Sequence, residues 1–299
     1  MSQALQETLS RVRSAVDSRL PKLLAHGLSA GLLEDPRDPL PAAAREALLS
    51  PGKRVRPGLV FLAGELFGAG EDRLLDPACA VEMIHAASLA LDDLPSMDDA
   101  TTRRGRPALH AVHGEDLAIL AAMTLVVRAF GVLAEAGLST VRPAAALDLV
   151  SRLADASGLQ GLSSGQALDL RTGDADASFD RLETIHARKT GALFVAAAEF
   201  GAVLGGARAR ELAAVRSYAK NVGLAFQIVD DLLEKEDPSR TGKQARRAPA
   251  PTFVRHVGEE GARRLVGELT LHAVEALEPF GARAALLREF ASLLRDRSA

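Results

Sequence analysis

Apolar residues in this chain recur every three and four positions, and nowhere do they alternate at two. In the first segment they fall at Leu5, Leu9, Val12, Val16 and Leu20, and the same step returns at Leu147, Val150 and Leu153. That spacing lines one face of an α-helix, whereas a half-buried strand needs strict alternation. With helical periodicity alone, the architecture open to the chain is helix packed on helix. Glycine and proline break the pattern at HGLSAGLLEDPRDPLP, GAGEDRLLDP, EAGLSTVRP and RTGDADASFD. The spacing predicts helices over 2–25, 41–50, 55–67, 76–93, 106–111, 115–136, 143–158, 161–171, 179–187, 190–204, 208–234 and 258–297. Segments 76–91, 117–134 and 190–204 are apolar nearly all round and belong inside a ring of other helices. Residues 235–257, KEDPSRTGKQARRAPAPTFVRHV, are polar, basic and proline-bearing, and read as the one long loop. The expected fold class is all-α, a single-domain helical barrel or bundle over residues 1–299.

Composition narrows the function. With 47% hydrophobic residues there is ample core material, and a net charge of −3 gives no reason to expect nucleic acid as a partner. One cysteine, Cys79, excludes an internal disulfide and fits a reducing, cytoplasmic setting. The start, MSQALQETLSRVRSAVDSRL, is charged and amphipathic, without the apolar stretch of a secretion signal. The longest strongly apolar run, Leu117 to Val127, is shorter than the about 20 residues a membrane span needs, so none is expected.

Two acidic clusters stand out against this background: LDDLPSMDD from residue 91 and VDDLLEKED from residue 229. Each sits at the expected end of a long apolar helix and opens on adjacent aspartates, Asp92–Asp93 and Asp230–Asp231. Pro95 cannot continue the first helix, so Asp98 should fold back over its end and share an ion with Asp92. Gathered carboxylates repel one another, and a divalent cation removes the repulsion; Mg²⁺ takes one or two carboxylates plus water and substrate phosphates. At about 3.6 residues per turn, His85, Ser88 and Asp92 fall nearly on one face, a polar stripe on a buried helix.

Basic residues complete the pattern. PGKRVRP supplies Lys53, Arg54 and Arg56; TTRRGRP supplies Arg103, Arg104 and Arg106; HARKTG supplies Arg188 and Lys189; RTGK supplies Lys243. Arginine suits bidentate phosphate contact and lysine suits point-charge contact. Four such groups beside two acidic clusters point to diphosphate substrates held partly by metal and partly by the protein.

In the same order along the chain, DDLPSMDDATTRRG resembles the first aspartate-rich motif of the trans-isoprenyl diphosphate synthases, and GLAFQIVDDLLE resembles the second. GKRVRP, EMIHAASL, GLQGLSSGQALDL and KTGALF are similar to the family's other blocks. Together these cover roughly residues 45–245 and look like the carotenoid-pathway geranylgeranyl diphosphate synthases of bacteria. The resemblance implies helices around a deep central cavity, a homodimer, and Mg²⁺ (or Mn²⁺) as cofactor. The substrates it implies are isopentenyl diphosphate and an allylic diphosphate (dimethylallyl, geranyl or farnesyl). It places Lys53, Arg56, His85 and Arg104 on the isopentenyl diphosphate, and Arg103, Lys189, Thr190, Gln227 and Lys243 around the allylic one. Asp92, Asp98 and Asp230 become the main metal ligands, with Asp93 and Asp231 in support. Of these, Asp92, Asp98, Asp230, Lys189 and Arg103 are the expected catalytic set.

Small residues at Ala87 and Ser88, where shorter-product members carry a bulky aromatic, imply a geranylgeranyl (C20) product rather than farnesyl (C15). The chain departs from the family at Glu234, which stands where an aspartate is usual. It departs again after Lys243, where QARRAPAPTF lacks the expected aspartate and lysine. These departures bear on lid closure, and leave open a non-catalytic partner subunit as the rival reading. A terpene cyclase, the other rival, would not need the isopentenyl pocket.

Overall fold

The computed structural model describes residues 1–26, 35, 37–173, 176–236, 244–245 and 251–297. In chain order the helices are α1 (Gln3–Ala25), α2 (Leu40–Leu48), α3 (Val55–Leu66), α4 (Glu71–Asp92), α5 (Leu109–His113), α6 (Glu115–Ser139) and α7 (Pro143–Ser157). They continue with α8 (Leu162–Arg171), α9 (Phe179–His186), α10 (Ala192–Leu204), α11 (Ala209–Glu236), α12 (Phe253–Ala276) and α13 (Ala285–Arg295). Several starts are dictated locally. Ser2, Ser178 and Thr252 each accept the amide three residues on, and Pro143 opens α7 where its missing N–H costs nothing.

Helix α4 is the axis. It packs against α1, α2, α3, α6, α7 and α10, and Ala78 through Ile84 are all buried. Helix α10 is enclosed as completely, with Ala196 through Ala202 buried. Its Gly201 is required by close approach, because a Cβ there would lie 2.1 Å from the carbonyl oxygen of Val60 on α3. The buried carboxylate of Glu199 on α10 is matched by Arg152 of α7 at 2.6 Å and by Arg216 of α11. Such compensation is what makes a buried charge tolerable. A smaller apolar cluster, including Leu182, Ile228, Leu232, Phe253 and Val266, seals α11 against α9 and α12. On the other flank, buried Tyr218 donates to the Leu287 carbonyl at 2.6 Å and ties α11 to α13.

The expected all-α class holds, with differences in detail. Segment 117–134 is not ringed by helices: Ile119, Leu120, Met123 and Val127 on α6 are exposed, Val127 at 66%. By length and composition α4 and α6 could each cross a membrane; the relevant window of α4 is 72% buried inside the molecule and that of α6 is 39%. Residues 106–111 are not one helix, because Arg106–Pro107 form strand β2, paired with β1 (Ala100–Arg103) ahead of α5. The link is a two-residue turn with Arg104 at φ 53° and Gly105 at φ 74°, the conformation that matches strand twist. Strands this short carry no readable alternation. Strand β3 (Gln244–Ala245) joins the other edge of β1, so the supposed loop 235–257 contains a strand and is bounded by a longer α11 and an earlier α12. Finally, 258–297 is two helices, separated by a 3₁₀ turn over Glu278–Ala284 in which Gly281 takes φ 54°.

Candidate active site

Helix α4 ends at Asp92, and the chain reverses as Pro95 requires. The Asp98 amide donates to the Asp92 carbonyl at 3.0 Å and the Ala100 amide to the Asp93 carbonyl at 3.1 Å, with Asp99 in the left-handed region between them. Asp98 is thereby laid over the helix end beside Asp92. Asp93 points inward, 3% exposed, and receives Arg103 Nε at 2.9 Å. Asp92 and Asp98 remain partly exposed.

Facing them is a widened helical turn, Ala187–Gly191, inserted between α9 and α10 with π-type bonding. Turns of this type recur at functional sites because they re-aim side chains. Lys189 Nζ donates to Asp169 of α8 at 2.5 Å. Burial pulls the Lys189 ammonium down, but Asp92, Asp169 and Asp98 together hold its pKa above the ordinary lysine value. Helix α8 seats directly on this turn, since a Cβ at Gly165 would lie 2.2 Å from the Lys189 nitrogen. The neighbouring Thr190 donates to Gln227 of α11 at 2.9 Å, and Gln227 donates on to Asp231 at 3.0 Å. Lys189 and Thr190 therefore connect the first acidic cluster to the second.

The second cluster does not end its helix: α11 continues to Glu236, so Asp230 and Asp231 project from its flank. The expected helix end is therefore found only at the first cluster, which alone gains from a helix terminus. Asp230 pairs with Arg297, whose guanidinium also donates to the Phe226 carbonyl at 2.8 Å and lies 3.8 Å from the Phe226 ring centre. The protein bulk around Asp230 raises its pKa, opposed by Arg297, Arg56 and Lys53. Asp230 thus lies in the field of the basic residues that open α3.

Among those residues Lys53 is exposed, while Arg56 is buried with its guanidinium 4.9 Å from the Phe194 ring centre. Arg56 Nε finds no hydrogen-bond partner, and burial lowers its pKa to about 10 despite Glu82 and Asp230. Arg104 donates to the Pro51 carbonyl at 2.6 Å. His85 is kept neutral, its pKa pushed well below the usual value by burial and by Arg56, Arg104, Arg103 and Arg54. His85, Arg103 and Arg104 line one cleft together with Arg54, Glu82, Asp93 and the apolar Ala86, Leu89 and Ala90. Lys53 and Arg56 flank Arg54 in the chain but do not themselves line this cleft.

Ser88 departs from the predicted polar stripe. Its hydroxyl donates to the His85 carbonyl at 2.9 Å and is satisfied by its own helix. Ala87 is buried at 1%. Lys243 and the side chain of Glu234 lie outside the described residues. Three participants escaped the sequence reading. Asp169 sits in the quoted GQALDL block, and a carboxylate one helix away from a lysine leaves no spacing signal. The Arg54–Glu82 pair spans 28 residues, and Arg297 reaches Asp230 across 67.

Among the described residues no three carboxylate, imidazole or thiol groups converge enough to cage a metal alone. The donor set still fits Mg²⁺, which is held by one or two carboxylates and completed by substrate phosphate. Asp92 and Asp98, close enough to sustain a buried ammonium, are such a pair.

A model of the polyprenyl synthetase family matches residues 38–247. A geranylgeranyl pyrophosphate synthase of Arabidopsis thaliana (number 11, chloroplastic) is 42% identical over 263 residues, covering 85% of this chain and 74% of the relative. The apo crystal structure of an FPP/GFPP synthase from Zymomonas mobilis superposes with a TM-score of 0.86 at 34% identity, covering 98% of this chain and all of that one (100%). A geranyltransferase from Helicobacter pylori, solved with magnesium and isoprenyl diphosphate, gives 0.81 at 28% identity over 96% of each chain. The chain belongs to the polyprenyl synthetase family.

Proposed function

We propose that this protein, acting as one domain, joins isopentenyl diphosphate head-to-tail to an allylic diphosphate and stops at the C20 product. One juxtaposition carries the reading: two carboxylate clusters bridged by Lys189, Thr190 and Gln227, beside a cleft lined by guanidiniums and apolar residues. The 42% identical geranylgeranyl pyrophosphate synthase supports the chain length.

Lys53, Arg56, His85 and Arg104 hold the isopentenyl diphosphate, with neutral His85 free both to donate and to accept. Lys189, Thr190, Gln227, Arg103 and Lys243 surround the allylic diphosphate. Asp92, Asp98 and Asp230, supported by Asp93 and Asp231, would hold Mg²⁺, which when bound neutralises charge on the departing diphosphate. Lys189 and Arg103 are fixed by Asp169 and Asp93 before substrate arrives, so they meet the developing charge without reorganising. The allylic C–O bond breaks, the isopentenyl double bond attacks the cation, and the released diphosphate takes the proton then lost. The apolar helices beneath exclude water from the cation. The growing tail would run beside α4 past Ala87 and Ser88, whose small side chains oppose its extension less than an aromatic would.

The exposed stripe of α6 reads as the homodimer face, since an apolar surface this continuous on a long helix calls for a partner. A monomer by sedimentation at micromolar concentration would refute that. A cytoplasmic location is proposed from Cys79, the one cysteine of the sequence, which is buried and free.

The deciding experiment incubates the purified protein with Mg²⁺, labelled isopentenyl diphosphate and each allylic primer, and identifies products by mass spectrometry. C20 is expected. Products that stop at C15 refute the length, and no product supports the partner-subunit reading. Ala87→Phe should shift the products toward C15, and an unchanged C20 profile removes Ala87 from length control.

A further inference from the structure

Among the basic residues at the cleft, Arg54 has no charge left to offer a substrate. Its side chain is 4% exposed and spans two helices, with Nε on Asp17 of α1 and Nη1 on Glu82 of α4, each at 2.7 Å. Its backbone is left-handed, φ 49° and ψ 43°, at the residue that caps α3. A non-glycine residue keeps that conformation only where its surroundings over-determine it, and here the two ion pairs do so. Lys53 and Arg56 hang from this same turn, one exposed and one buried.

The preceding backbone is confined as well. Arg104 holds the Pro51 carbonyl at 2.6 Å. A Cβ on Gly52 would lie 3.0 Å from Arg104 Nη1 and 3.4 Å from Arg54 Nη1, so two guanidiniums close the space a side chain at Gly52 would need. Glu82 stands one helical turn before His85 and lines the same cleft. Its carboxylate raises the pKa of Arg54 and is felt by Arg56 and Arg104 too.

We infer that Arg54, anchored on Glu82 and Asp17, is a positioning residue that sets the direction in which Lys53 and Arg56 present their charge to the diphosphate of isopentenyl diphosphate. The inference rests on the proposed function and adds to it a residue that acts through others: a neutralised guanidinium that fixes its two charged neighbours in the direction that binds the diphosphate. Lysine cannot substitute, because one ammonium lacks the rigid fork needed to reach carboxylates on two helices.

The test is Arg54→Lys, which keeps the charge. KM for isopentenyl diphosphate should rise about tenfold, while kcat and KM for the allylic diphosphate stay within about twofold. A merely structural role would lower the melting temperature and the active fraction and leave both KM values unchanged, which overturns the inference. Should Arg54→Lys fail to fold, Asp17→Asn removes only the exposed anchor and should raise the same KM about threefold; no rise overturns the inference. Calorimetric binding of inorganic pyrophosphate to wild type and variant separates this idea from the proposed function. If wild type makes no product, a weaker affinity in the variant still supports the positioning role, and equal affinities overturn it.

Discussion

The two acidic clusters are alike in sequence and different in construction. At the first, neutralisation is local: Arg103, on the strand that follows the helix end, comes ten residues after Asp93, and the side chains of the pair are 4% (Asp93) and 20% (Arg103) exposed. At the second it is remote: Arg297, its side chain 11% exposed, comes from beyond α13 to an aspartate on the flank of α11 whose side chain is 37% exposed, so here it is the carboxylate and not the guanidinium that meets solvent. A buried local pair is part of the fold. A remote pair with an exposed carboxylate is a contact the fold can lose and still stand. The first cluster is thus built to stay, and the second is open to exchange of its counter-ion.

The largest effect that could break this contrast is catalytic. Asp98→Ala and Asp230→Ala should each lower kcat by about 10³ if both clusters serve one reaction. Substantial activity in either variant, measured at saturating substrates and Mg²⁺, would make the clusters unequal partners. Stability then sharpens the distinction. Arg103→Leu leaves a buried carboxylate uncompensated and should cost about 3 kcal/mol in urea denaturation, whereas Arg297→Leu should cost about 1 kcal/mol or less. Equal losses would erase the difference. The smallest effect concerns the turn that joins the clusters. His186 lies buried beneath it, 5.2 Å from the Phe253 ring centre, with both ring nitrogens unpartnered. Burial lowers its pKa from 6.5 to about 4, against Asp169, which raises it. Below pH 6.5 the unfolded chain takes up a proton that the folded chain refuses until about pH 4, so stability falls as pH drops through that window. About 1 kcal/mol should be lost between pH 6.5 and pH 5.5, and His186→Phe should flatten the profile.

What the sequence revealed follows the same division between local and remote. Helices α1, α4 and α10 were legible because periodicity and all-round apolarity are local properties. The reversal after Asp92 was legible from Pro95, again a constraint on its neighbours. Helix α6 misled because an apolar face looks the same in sequence whether or not its own fold covers it. Asp169, Glu82 and Arg297 were missed because each is defined by a partner on a different helix. Strands β1 and β2 were missed because their paired stretch spans two registers, too few for alternation to show.

The turn at Ala187–Gly191 has one further consequence. It inserts a phase slip between two helical runs that each bury a face: Leu182 and Ile185 before it, Leu193 and Phe194 after it. Both faces stay in register only while the extra residue is present. Removing one residue would turn one run against the other by about 100°. Identities along this stretch can drift within the limits of packing and chemistry, but its length cannot. Insertions and deletions that surface loops absorb freely should be excluded here.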